Sequence, residues 1–305
     1  TFVFSGCLHA PTPPAPAAAG PAPAAWASPT VQTRNIDETV RQAMAATGTR
    51  GLALSVVDGG RVVFTRAYGV RDAQGSPLRE DTVMYGASLT KAAFGYLVMQ
   101  LVEEKRLELD TPIARYLPRP LPDYTSADIA RRYAAFGGLA NDERWRQLTA
   151  RILLTHSGGF SNFHFLEPDR QLRIHFEPGS RYAYSGDGYI LLQFVLAHGL
   201  GLDVGAEMDR RLFARFGMTR SSLVWRPDFR PNLADGFDID GRAVPHDERS
   251  RVRAAGSLDT SIANASLPTL SRAFGASFPT VQWVALAYLV ALTAGLAGAG
   301  RLGDV

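Results

Sequence analysis

Residues 85–97 read YGASLTKAAFGYL, and Lys91 in that stretch is one of only two lysines in a 305-residue chain that holds 30 arginines. Where a bare positive charge suffices, this sequence uses arginine. A guanidinium keeps its proton, whereas a buried ammonium can give its proton up. A lysine retained at position 91 is therefore a candidate proton acceptor. Ser88 stands three residues earlier, a spacing that puts both side chains on one face of a helix. The apolar positions Phe94, Leu97, Val98, Leu101 and Val102 recur with helical period, so the stretch predicts a helix that opens at Ser88. A serine hydroxyl becomes a useful nucleophile when a nearby base takes its proton. The free N–H groups of a helix N-terminus can stabilise the oxyanion that follows. With 18 serines and two lysines, a chance Ser-x-x-Lys has odds of about one in eight. The competing reading is a capping serine beside a solvated lysine. Lys105, in the run EEKR, fits that blander description.

Working outward, IDETVRQAMAAT (36–47) has helical spacing and meets a stop at Gly48. LALSVVDGGRVVFTRAYGV reads as two strands joined by a turn at Asp58-Gly59-Gly60. Residues 110–250 are rich in proline, glycine and short helical patterns, as in a helical lobe inserted beside a sheet. No internal repeat is visible.

Several longer segments extend the Ser88 motif. They are GLALSVVDGGRVVFTRAYGVRD (51–72), YGASLTKAAFGYLVMQLVEEKRLELDTPIARYLP (85–118), LTARILLTHSGGF (148–160), FEPGSRYAYSGDGYILLQFVLAHGLG (176–201), FARFGMTRSSLVW (213–225) and AAGSLDTS (254–261). Together, and in this order, they resemble the serine β-lactamase-related family of class C β-lactamases, DD-peptidases and esterases, over residues 36–262. The resemblance implies an α/β (α+β) fold of the β-lactamase/transpeptidase type: an antiparallel sheet flanked by helices, with an inserted helical lobe. It implies a serine hydrolase acting on an amide or ester, with Ser88 acylated, Lys91 taking its proton and Tyr184 assisting proton transfer. Tyr184-Ser185-Gly186 matches the family's Tyr-x-Asn, which makes Ser185 and Gly186 candidate substrate-binding positions. Gly186 departs from the pattern, because the asparagine that contacts substrate amides is missing there. His156, in LLTHSGG, invites a catalytic reading; the resemblance implies a structural turn instead. No cofactor is implied.

The family's third element, Lys-Thr-Gly or His-x-Gly on a late strand, is not found. No lysine follows Lys105, His156-Ser157-Gly158 belongs to an earlier element, and Arg301-Leu302-Gly303 is a poor imitation. The motif resemblance stops near Ile262, so the hydrolase domain, taken as 35–272, is expected to be incomplete, its C-terminal strands missing. That shortfall supports a second reading, a non-catalytic or impaired binding protein for cell-wall peptide or a protein partner.

Outside the domain, Ser5-Gly6-Cys7 and the Pro/Ala-rich stretch after it resemble the end of a bacterial lipoprotein signal. Phe4 stands where leucine is usual. Residues 1–34 are thus read as signal remnant and linker, Cys7 as the lipid attachment point, and the protein as exported, periplasmic or membrane-anchored; a clipped ordinary signal peptide or a cloning remnant is the competing reading of the same residues. Residues 273–305 form an apolar tail. Its uncharged run 281–300 is long enough to span a bilayer, which would suit a membrane-anchored sensor; a buried helix and an out-of-frame tail are equally open. A net charge of +3 without a basic stripe argues against a nucleic-acid partner. One cysteine and no His-x-x-x-His spacing predict no metal site.

Overall fold

The computed structural model describes residues 33–58, 61–238, 240–244 and 246–262, all within one compact unit. Helix α1 (Thr33–Thr47) ends at Gly48, whose φ of +68° only glycine adopts at little cost. Its Ile36, Val40 and Met44 recur every four residues and pack on Phe64, Tyr68, Leu52, Leu54 and Val56 of the following hairpin. Tyr68 also donates a hydrogen bond of 2.7 Å to Asp37. The hairpin is β1 (Gly51–Asp58) and β2 (Arg61–Gly69), antiparallel, with Gly51 opposite Gly69 and Asp58 opposite Arg61.

Strand β3 (Val83–Ala87) runs directly into helix α2 (Leu89–Glu103). Phe94, Leu97, Val98 and Leu101 are buried, and Val102 packs at the edge of the same core. The lobe that follows carries α3 (Ala127–Arg132), α4 (Ala150–Leu154), α5 (Gly186–His198) and α6 (Val204–Met208), with single turns between them. Its centre is α5, buried from Gly186 to Leu196 and apolar all round apart from Asp187 and Gln193, whose polar groups are hydrogen-bonded. Phe194 on α5 gathers Tyr124, Tyr133 and Phe136 at ring separations of 4.8, 5.2 and 4.7 Å. Short strands β4 (Gly236–Phe237) and β5 (Ala243–Val244) pair with each other, and β6 (Leu258–Ser261) returns to lie antiparallel to β3.

The architecture is the expected mixture of helices and antiparallel strands. The pairing is more divided than one sheet: among the described residues it forms three two-stranded ladders, β1–β2, β3–β6 and β4–β5. Cys7, the tail 273–305 with its apolar run 281–300, and Arg301-Leu302-Gly303 lie outside the described residues. Among the described residues no helix is long and apolar enough to cross a membrane.

Candidate active site

The turn from β3 to α2 carries the site. Ala87 has φ +42°, a left-handed conformation uncommon for a residue with a Cβ. Thr90, fully buried, holds that turn: its Oγ1 donates to the Ala87 carbonyl at 2.5 Å and accepts the Leu258 N–H at 2.9 Å. The kink therefore depends on a link across to β6. Ser88 follows in helical conformation (φ −69°, ψ −5°), with its hydroxyl making no capping bond to the helix it opens.

That hydroxyl is the meeting point of two other groups. Tyr184 Oη donates to Ser88 Oγ at 2.7 Å, and Lys91 Nζ lies 3.1 Å from the same oxygen. Lys91 is 1% exposed, and its second contact is the Ala255 carbonyl at 2.6 Å. Two aromatic rings line the amine, with centroids at 4.8 Å (Tyr184) and 5.6 Å (Tyr189). Burial pushes its pKa from 10.5 down to about 8. An uncharged lysine is thus within thermal reach at neutral pH. Burial raises the Tyr184 phenol, offset in part by its bond to Ser88.

His156 braces this group. Its ring stacks on Tyr184 at 4.5 Å and 28°, and packs against Tyr189 at 5.1 Å. The Ser185 N–H donates to its Nδ1 at 3.0 Å, which leaves the ring proton on Nε2. Burial, and then the Lys91 charge, lower its pKa to about 4, so it is neutral at physiological pH. It serves as the wall behind Tyr184.

The two candidate substrate-binding positions sit at the start of α5. Ser185 is 2% exposed and caps α5, accepting the Gly188 N–H at 3.0 Å and donating to the Ser161 carbonyl at 2.8 Å. Gly186 is also buried, with its N–H directed to Asn162 and its open side covered by Phe163. Sequence reasoning missed Thr90, the Ala255 carbonyl and Gln193. The last holds the approach to Ala255 by bonding Val252 O (3.0 Å) and Ala254 N (2.8 Å). Backbone acceptors leave no side-chain signature; only the AAGSL segment hinted at them.

A cavity of about 700 Å³ lies elsewhere, lined by Arg132, His198, Asp203, Arg251 and their neighbours, and includes none of Ser88, Lys91 and Tyr184. Among the described residues no group of three or more His, Cys, Asp or Glu could hold a metal ion.

The Beta-lactamase family model matches residues 36–300. The chain belongs to the beta-lactamase family. That match runs past Ile262, where the motif resemblance stops, so the family likeness reaches further than the motifs alone indicated. The chain is 26% identical over 203 residues to the D-alanyl-D-alanine-carboxypeptidase/endopeptidase AmpH of Escherichia coli, covering 59% of this chain and 47% of that protein. It is 35% identical over 88 residues to Esterase EstB of Burkholderia gladioli, covering 28% and 22%. Its fold superposes on D-alanine carboxypeptidase AmpC from Burkholderia cenocepacia with a TM-score of 0.61 at 22% identity, over 77% of this chain and 62% of that one. The chain spans less than half the length of these two curated relatives.

Proposed function

We propose that this chain is a serine hydrolase that acts on an ester or amide through an acyl-enzyme at Ser88. The observation that carries the reading is the convergence of a buried amine and a phenol on one hydroxyl oxygen, at 3.1 and 2.7 Å. Ser88 Oγ attacks the substrate carbonyl carbon and forms a C–O bond, and its proton passes to neutral Lys91. The bond to the leaving alcohol or amine breaks, and that group takes its proton from the Lys91–Tyr184 pair. Water then attacks the acyl carbon and loses its proton to the same pair; the bond between that carbon and Ser88 Oγ breaks, the carboxylic acid leaves, and Ser88 Oγ takes a proton back from the pair. His156 is a positioning residue, holding Tyr184 over Ser88. No cofactor enters the scheme.

AmpH and EstB bear names that span amide and ester chemistry, and both are proposals here. The Ser5-Gly6-Cys7 pattern supports an exported, envelope-bound enzyme with Cys7 as its lipid anchor. A fluorophosphonate probe tests the reading: the expected result is one adduct per folded chain, mapped by mass spectrometry to Ser88. A folded sample in which Ser88 stays unmodified overturns it.

A second reading has its own support. Glycine at 186, where the family pattern has asparagine, favours a protein that binds, or acylates once and holds. Stoichiometric labelling by a chromogenic ester, without turnover, separates that case from a working hydrolase.

A further inference from the structure

Gly186 and Phe163 account for each other. A Cβ built on Gly186 would lie 2.3 Å from Phe163 Cε1, 2.6 Å from Cζ and 3.0 Å from Cδ1. Carbon atoms pack no closer than about 3.5 Å, so the benzene ring already fills the volume a side chain at 186 would claim. In the Tyr-x-Asn pattern that side chain is the asparagine that meets substrate amides.

The ring is held there by design of the loop. Ser185 Oγ fixes the Ser161 carbonyl at 2.8 Å. The N–H groups of Gly186 and Asp187 both donate to the Asn162 carbonyl, at 2.8 and 3.0 Å, and Gly186 N–H also reaches Asn162 Oδ1 at 3.1 Å. The buried Asp187 carboxylate accepts the His164 N–H and lies 3.1 Å from His164 Nδ1. Residues on both sides of Phe163 are thus latched to the first turn of α5. On the outer side Phe165 stacks on Phe163 at 5.0 Å and 10°, and Phe165 and Leu166 are exposed. Leu89, directly after Ser88, and Tyr182, packed on His156, are exposed as well.

We propose that Phe163 is a specificity-determining residue: its ring replaces the missing amide and makes the acyl side of the Ser88 site apolar. The proposal rests on the hydrolase reading above and names its substrate class, esters whose acyl group is apolar or aromatic. An acyl group carrying an amide beside the scissile carbonyl would lose water against the ring and gain no partner, a loss of about tenfold or more. An aromatic acyl group would bury its face there instead.

The test compares two p-nitrophenyl esters with the same leaving group, the phenylacetate and the N-acetylglycinate. The wild-type chain is expected to favour the phenylacetate in kcat/KM. Phe163→Ala should narrow that ratio by about tenfold, and Phe163→Ala with Gly186→Asn should narrow it further. Should Phe163→Ala not fold, Phe163→Leu carries the same comparison. A second readout needs no turnover: Gly186→Ala should lower the melting temperature in the wild-type background and much less in Phe163→Ala. Unchanged ester ratios while fluorophosphonate still labels Ser88 would overturn this proposal and leave the hydrolase reading intact. Additive melting shifts would overturn the filled slot. Absence of Ser88 labelling in folded wild type would remove both readings together.

Discussion

Two serines open two buried helices, and they do opposite things. Ser185 precedes α5 in extended conformation (φ −140°, ψ 122°) and turns its hydroxyl back to the Gly188 N–H, as a capping serine does. Ser88 precedes α2 already in helical conformation, and its hydroxyl turns away from the helix toward Tyr184 and Lys91. The difference originates one residue upstream. Ala87, held left-handed by the Thr90 link, takes the bend that the capping residue usually takes, and so frees the next side chain from capping. A hydroxyl turned toward Tyr184 and Lys91, and not back onto its own helix start, is placed for chemistry.

Removing each hydroxyl should therefore give opposite profiles. Ser88→Ala carries the largest effect: fluorophosphonate labelling and ester hydrolysis should vanish, while any change in thermal unfolding comes from the lost bonds to Tyr184 and Lys91 and not from a lost helix cap. A Ser88→Ala chain that still forms the adduct would break the comparison at its root.

Lys91 comes next. With a folded pKa of about 8 against an ordinary 10.5, the unfolded chain binds more protons between those two values. Stability should therefore rise with pH across that window, by about 3 kcal/mol from this residue, and the penalty is fully present below pH 8. The acylation rate should climb through pH 8 as the amine loses its charge. Lys91→Met should remove both dependences, lowering labelling by about 10²- to 10⁴-fold while flattening the stability profile. Lys91→Arg, charged at every accessible pH, should label no better than Lys91→Met. Denaturant titrations at pH 7.5 and 10, beside stopped-time labelling over the same range, measure both. A labelling rate independent of pH from 6 to 9 would exclude Lys91 as the base.

The chain showed some of this and hid the rest for physical reasons. Ser88, Lys91 and the α2 stripe were legible because helical periodicity is local, and lysine scarcity made one position stand out. The hairpin was legible from its turn. Tyr184 could be found only through resemblance, since its meeting with Ser88 spans 96 residues. The capping role of Ser185 was hidden because a serine that caps a helix and one that faces a substrate are the same residue type, told apart only by backbone angles and bonding partners. Phe163 was invisible: a phenylalanine in a loop reads as ordinary core, and only coordinates show the ring standing where Gly186 lacks a side chain. The Ala255 carbonyl belongs to the backbone, which every residue offers alike.

The smallest expected effect closes the comparison from the other side. Ser185→Ala removes an acceptor for Gly188 N–H and a donor to the Ser161 carbonyl, both in buried surroundings. Loss of such a cap costs about 1 kcal/mol, or roughly 2–4 °C in melting temperature for a domain of this size. Labelling at Ser88 should persist, because Tyr184 keeps its stacking on His156 and its bond to Ser88. The Ser161 carbonyl anchors the loop that carries Phe163, so the same variant should loosen the ester preference before it touches the acylation rate. If Ser185→Ala instead abolished labelling at unchanged stability, the two helix-opening serines would share one role, and the division between cap and nucleophile would be wrong.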